Sequence, residues 1–219
     1  MDENKNIENS LSSMKISDRG IILRSYDDLL KFSLLVYQSD DAIQKKFKNP
    51  ESVLIAIQFG SEVGLHPLQS IQNVGVINGI PALYGDAAKA LVLGSNLCIK
   101  FKEYFEGKPY DDDFTAICIT KRKGAEDEHI ETFSVADAKR AGLWNKEGTW
   151  RKYPKRMLRF RARGFNLRDN FTDVLKGFKT IEEISDYEII SSTTNNTTDN
   201  VKKHGNNVRN IMSEEPPED

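Results

Sequence analysis

Residues 133–178 read FSVADAKRAGLWNKEGTWRKYPKRMLRFRARGFNLRDNFTDVLKGF. Between positions 139 and 168 this stretch holds eleven basic residues: Lys139, Arg140, Lys146, Arg151, Lys152, Lys155, Arg156, Arg159, Arg161, Arg163 and Arg168. Against them stands one acid, Glu147, in a chain whose formal net charge is −2. Trp144, Trp150, Tyr153, Phe160 and Phe165 are interleaved with the cations, and both tryptophans of the protein lie here. Cations attract a phosphate backbone without reading sequence, and flat rings stack on bases or sugars.

Spacing adds to the count. Pro154 cannot donate a backbone hydrogen bond, so it suits the first turn of a helix. A helix is therefore predicted from Tyr153 or Pro154 to about Asp169. At about 100° per residue, Lys155, Arg156, Arg159 and Arg163 share one side, and Lys152 joins them if the helix begins early. Arg161 and Arg168 point the other way. Met157, Leu158, Phe160, Ala162, Phe165 and Leu167 surround the stripe and pack the rest of the helix. Like charges at i,i+4 cost a little, and the stripe contains no acid. A polyanion outside the helix is the expected compensation. A charge run is usually a solvated face, but solvated faces mix signs, so the balance here favours an anion-binding surface. Each tryptophan reads either as a core residue or as a stacking platform.

Upstream, residues 96–133 alternate as strands, with Cys98–Phe101 and Thr115–Ile119 the clearest runs. Turns at Gly107-Lys108-Pro109 and Lys123-Gly124-Ala125 make a three-stranded antiparallel meander. Ser134 with Asp137 three residues on approximates a capping box for a helix that Gly142 ends. Asp111, Asp112 and Asp113 form an acidic run that reads as a solvated turn.

Further upstream, residues 26–38 carry a helical apolar pattern, with Asp27 and Asp28 suited to its first turn. Asn49-Pro50-Glu51 opens a second helix, as cap, first helical residue and first-turn acid. Gly64 stops it, and a short helix follows from Leu68 to Asn73. Asn78-Gly79 between short apolar segments signals a β-hairpin, with strands at about 74–77 and 80–84. Gly85-Asp86 then opens another helix with Asp86 as its cap. Tyr84 and Lys89 lie at that junction, where they face a ligand or simply pack.

Residues 1–20 read as a disordered N-terminal segment, 21–180 as the core, and 181–219 as a disordered acidic tail. From Glu182 on there are nine acids and three Lys or Arg, with too little apolar surface to bury. Such a tail competes loosely for the basic groove, docks a partner or is an inert solubiliser. Two cysteines, Cys98 and Cys118, are too few for a disulfide framework and read as free thiols. The polar N-terminus shows no secretion pattern and no apolar run reaches bilayer length, so an intracellular protein is expected. His66 has no cysteine or carboxylate at ligand spacing, and no metal ligands are expected.

Two blocks of the chain resemble the RecT group of phage and prophage single-strand annealing proteins, relatives of Redβ. The first, within Val53–Val92, is GSEVGLHPLQSIQNVGVINGIPALYGDAAKALV; the second is the stretch quoted above, to Gly177. Together they cover about 85 of 219 residues, and the intervening strands match in pattern more than in letters. The resemblance implies an α+β fold, a small antiparallel sheet with a β-hairpin packed by several helices. It implies binding of single-stranded DNA and its pairing with a complementary strand, without ATP or any other cofactor. It further implies a homo-oligomer, ring or helical filament, with a continuous basic groove holding single-stranded and annealed duplex DNA. A phage 5′–3′ exonuclease and the host single-strand-binding protein are the implied partners, in the cytoplasm of a bacterial host.

Carried over by position, Lys139, Arg140, Lys152, Lys155, Arg156, Arg159 and Arg163 would grip phosphates. Trp144, Trp150 and Tyr153 would shape the groove or stack. Gln69, Gln72, Asn73, Asn78 and Lys89 are further DNA-binding candidates. The short acidic tail departs from a structured C-terminal partner-binding module. No phosphate loop, activated nucleophile or spaced carboxylate cluster is found. Two other classes stay open: a nucleic-acid-binding regulator that does not anneal, and a metal-dependent nuclease built on Asp111, Asp112, Asp113 and Glu126.

Overall fold

The computed structural model describes residues 15–17 and 20–185. Two short strands, β1 (Lys15–Ser17) and β2 (Gly20–Ile22), pair antiparallel at the start. The disordered segment expected for 1–20 thus gives way to strand at 15–17 and at Gly20, and the rest of it lies outside the described residues.

Helix α1 (Tyr26–Ser39) follows. Its Ser25 cap accepts from Asp28 N at 3.0 Å while Asp28 returns a bond to Ser25 N, which satisfies donors a helix start leaves open. Next come α2 (Asp41–Lys46) and α3 (Pro50–Glu62). Asn49 caps α3 by accepting from Ser52 N, with Pro50 in its first turn, as predicted. Gly64, at φ +82°, takes the left-handed conformation that a side chain disfavours, and the helix ends there. Then α4 (Pro67–Asn73) leads into the hairpin of β3 (Val74–Ile77) and β4 (Ile80–Leu83). At its tip Asn78 and Gly79 both have positive φ, +49° and +80°, the requirement of a tight two-residue hairpin turn.

Helix α5 (Gly85–Gly94) leads to the meander β5 (Cys98–Glu106), β6 (Thr115–Arg122) and β7 (His129–Ser134), in the order β5-β6-β7, all antiparallel. Three helices close the second half: α6 (Val135–Arg140), α7 (Thr149–Lys152) and α8 (Pro154–Asn170). The predicted capping box at Ser134 and Asp137 is formed, and Tyr153-Pro154 does begin the long helix. The short α9 (Thr172–Leu175) comes last. The architecture is α+β with small antiparallel sheets.

Burial is divided between two clusters. One joins α1 to α5 with the hairpin and α9, around Phe47, Val53, Val74, Leu83, Val92 and Phe171. The other lies between the meander and α8, around Phe114, Cys118, Phe133, Trp150, Leu158 and Ala162. Alternation along β5 and β6 turns Phe101, Glu103, Phe105, Ala116 and Cys118 toward α8, and Asn166 of α8 locks on by donating to the Cys118 carbonyl at 2.9 Å.

Residues 181–185, assigned from sequence to the tail, form a helical turn packed on the core. Thr180 bridges Leu83, Glu183 is fully buried against Arg168, and Glu182 accepts from Gly85 N through both oxygens at 3.2 and 3.3 Å. Composition marked this stretch as polar, but each of its two glutamates meets a donor from a distant element. The remaining acidic tail lies outside the described residues. The Glu182 bond also corrects the cap of α5. Tyr84 is the N-cap and gives no side-chain bond; Asp86 sits inside the first turn with its carboxylate turned toward α8.

Candidate nucleic-acid interface

Helix α8 has two chemically different halves. Its first turn has no acid and no side-chain cap, so the positive end of the helix dipole is left to the cations beside it. Lys152 and Tyr153, at the junction of α7 and α8, are exposed, Tyr153 to 61%. Lys155 is exposed, and its Nζ stands 4.9 Å from the Phe105 ring centroid and 5.9 Å from that of Phe114. Arg159 lies 5.0 Å from the Phe105 centroid. The charged groups themselves lie over these rings; Lys155 is exposed, whereas Arg159 is half-buried and its Nε is buried with no hydrogen-bond partner among the described residues. Among the described residues, no carboxylate pairs with Lys152, Lys155 or Arg159.

The second half is scaffold. Arg163 is 5% exposed; its Nε and Nη2 donate to the two oxygens of Glu103 at 2.7 and 2.9 Å, and its Nη1 donates to Asp86 at 2.7 Å. Burial by itself would raise the Glu103 carboxyl, but the bonds from Arg163 and Lys89 hold it below its ordinary range. Arg163 as a phosphate contact is therefore corrected to a buried ion-pair residue. Lys89, a DNA-binding candidate from the sequence, is half-exposed and engaged in the same network: its Nζ sits 3.2 Å from Glu103 and 4.2 Å from the Phe101 ring centroid. Trp150, 2% exposed and 6.4 Å from the Phe133 ring, belongs to the core and not to a stacking surface. Trp144 is half-buried against the same cluster.

Between these extremes lie exposed cations in exposed pairs. Arg156 donates to Asp86 at 2.8 Å, Lys139 to Asp112 at 2.5 Å, Arg140 to Asp137 at 2.7 Å, and Arg151 pairs with Glu147. Such pairs contribute about 0–1 kcal/mol and exchange readily for another anion. These four cations stay available to a ligand in a way Arg163 does not.

The candidates of the first block make mostly local bonds of their own. Gln69 accepts from His66 N at 3.0 Å, and Asn73 donates to the Gln69 carbonyl at 2.9 Å. Both line an open cleft of about 580 Å³ whose wall also includes Asp86. Gln72 is exposed, with its carbonyl bonded by Lys46, and Asn78 is exposed at the hairpin tip. Asp86 is the residue that joins the blocks, since one carboxylate on α5 meets both Arg156 and Arg163.

Sequence reading missed Asp86 and Glu103 as partners. The signal for Glu103 was present: it alternates with Phe101 and Phe105 on the inward face of β5, and an acid there demands a cation. The carboxylates offered for a nuclease do not converge. Asp111, Asp112 and Asp113 precede β6, where Asp111 pairs with Lys108 and Asp112 with Lys139, whereas Glu126 follows the far end of that strand.

Among the described residues no helix is long and apolar enough to cross a membrane. No protein-family model matches the chain, and no curated protein matches it.

Proposed function

We propose that this chain binds single-stranded DNA through the start of α8 and anneals complementary strands without ATP, in the manner of the RecT group. The observation that carries this reading is the run of Lys152, exposed Tyr153, Lys155 and Arg159 at the start of α8, whose cations have no carboxylate partner among the described residues. Unpaired cations gain from phosphate, and an exposed ring adds a sequence-tolerant stacking surface. Arg156, Lys139, Arg140 and Arg151 extend the surface by exchanging weak exposed pairs for phosphate. Annealing requires only that both backbones be neutralised while base edges stay open, which removes strand repulsion and raises the effective concentration of complements. Assembly of several chains, side by side along one strand, would make the short patch continuous.

The test mixes two complementary fluorescent oligonucleotides with the protein in the absence of ATP. Wild type is expected to accelerate pairing, and Lys152→Ala/Lys155→Ala to lose most of that acceleration while melting at the wild-type temperature. Binding of single strands without accelerated pairing would replace annealing by the regulatory reading.

A further inference from the structure

We propose that His129, Glu131 and Asp169 bind one divalent transition-metal ion of the zinc class, at the end of α8 away from the cation patch. Two of the ligands share a face of β7 because residues two apart on a strand project together. Phe133 shares that face and packs against Trp150 and Phe165, so the face is turned toward α8. The third ligand comes from the last turn of α8. Their ligand atoms all lie within 4.8 Å of one another, and His129 Nε2 is 3.5 Å from Glu131 Oε1. In a tetrahedral zinc site with bonds of about 2.0–2.1 Å, ligand atoms stand roughly 3.3–3.4 Å apart. One edge is thus close to length, and exposed Asp169 has room to close the others.

Two further observations point to a cation. The Nε2 of His129 is buried and has no hydrogen-bond partner among the described residues. No lysine or arginine among the described residues pairs with Glu131 or Asp169, so two carboxylates converge on one imidazole with nothing else to balance them. The frame is also fixed. Asn166 donates to the His129 carbonyl at 2.9 Å and accepts from Thr120 Oγ1 at 2.6 Å, and Asn170 donates to Thr120 at 2.8 Å. An imidazole nitrogen with two carboxylate oxygens suits zinc, manganese or cobalt, whereas magnesium favours all-oxygen octahedra. Three protein ligands leave a position for water. The ion would staple β7 to the last turn of the helix whose first turn carries the cations. None of this depends on what those cations bind.

The full chain, stripped with a chelator and dialysed, is titrated with Zn²⁺ and Co²⁺ against a chromophoric competitor while Tm is followed. One saturable equivalent per chain and a rise in Tm are expected. His129→Gln should abolish binding and Asp169→Asn weaken it at least tenfold, with unchanged circular dichroism. A His66→Gln/His204→Gln variant should bind as wild type, and the Co²⁺ form should show no thiolate charge-transfer band, excluding Cys98 and Cys118. No saturable equivalent in wild type would overturn the proposal. Wild-type affinity in both His129→Gln and Asp169→Asn, or loss in the His66/His204 variant, would overturn it equally.

Discussion

Arg163 grips Glu103 with two parallel bonds, Nε to Oε1 at 2.7 Å and Nη2 to Oε2 at 2.9 Å, and both side chains are almost fully buried. Planar guanidinium and carboxylate match in this geometry, and burial strengthens the cost of separating them. Arg163→Ala leaves Glu103 charged, buried and held only by Lys89. We expect it to lower stability by about 3–5 kcal/mol in urea unfolding, with single-strand affinity of the folded protein nearly unchanged. Because the folded Glu103 carboxyl titrates below its ordinary value, its contribution is present above that value and disappears as pH falls through the lowered one. Normal stability with lost DNA binding in Arg163→Ala would return this residue to the interface.

Lys152 and Lys155 make the opposite case. Both are exposed and bear no carboxylate partner among the described residues. Lys152→Ala/Lys155→Ala should leave Tm unchanged and weaken single-strand binding. The slope of log affinity against log salt should shrink by about 1.4, at about 0.7 for each phosphate contact on single strands. An unchanged slope would place the contacts elsewhere.

The aromatic pair Trp150 and Tyr153, three residues apart, should separate cleanly. Removing the Trp150 ring empties the centre of the meander core, and Trp150→Ala should cost about 3–5 kcal/mol. Tyr153→Ala should melt like wild type but bind single strands more weakly, by about 1–3 kcal/mol for one lost base stack. Isothermal titration beside thermal melts reads both quantities. If Tyr153→Ala binds as wild type, the exposed ring is not a stacking platform.

The turn 181–185 should tighten in acid. Burial pushes the carboxyls of Glu182 and Glu183 above their ordinary range, against the opposing charge of Arg168 on Glu183. A carboxyl raised by folding contributes stability that is complete below its unfolded value and is lost as pH rises through the folded one. Amide exchange in 181–185, corrected for its intrinsic pH dependence, should therefore be slower at pH 5 than at pH 7. Glu182→Gln keeps an acceptor for Gly85 N and should exchange at pH 7 nearly as wild type does at pH 5. Equal protection at both pH values in wild type would refute this.

Local signals carried most of the fold. Asn49-Pro50, Asn78-Gly79, Ser134 with Asp137, and Tyr153-Pro154 each act within four residues, and each places its element where the chain puts it. What escaped were pairings across long separations. Asp86 resembles a cap by sequence, yet its carboxylate is claimed by Arg156 and Arg163 about seventy residues on. Glu182 resembles tail, yet it caps a helix 97 residues earlier. Room for that segment is made by glycines far from it: a Cβ on Gly75 would stand 2.6 Å from Ile181, and one on Gly164 2.9 Å from Glu183. Within the basic stretch, counting charges could not tell Lys155, which faces water, from Arg163, which is neutralised by Glu103 on β5 and Asp86 on α5.

That division gives α8 two responses to ionic strength. Dissolved ions screen exposed charges strongly and buried pairs weakly. If the first turns bind a polyanion as proposed, adding salt should strip it off while the Arg163 network beneath stays closed, releasing it from a scaffold that has not begun to melt. On the proposed function the helix would be a reversible adhesive on a permanent rivet, with the boundary between them falling in the single turn from Arg159 to Arg163.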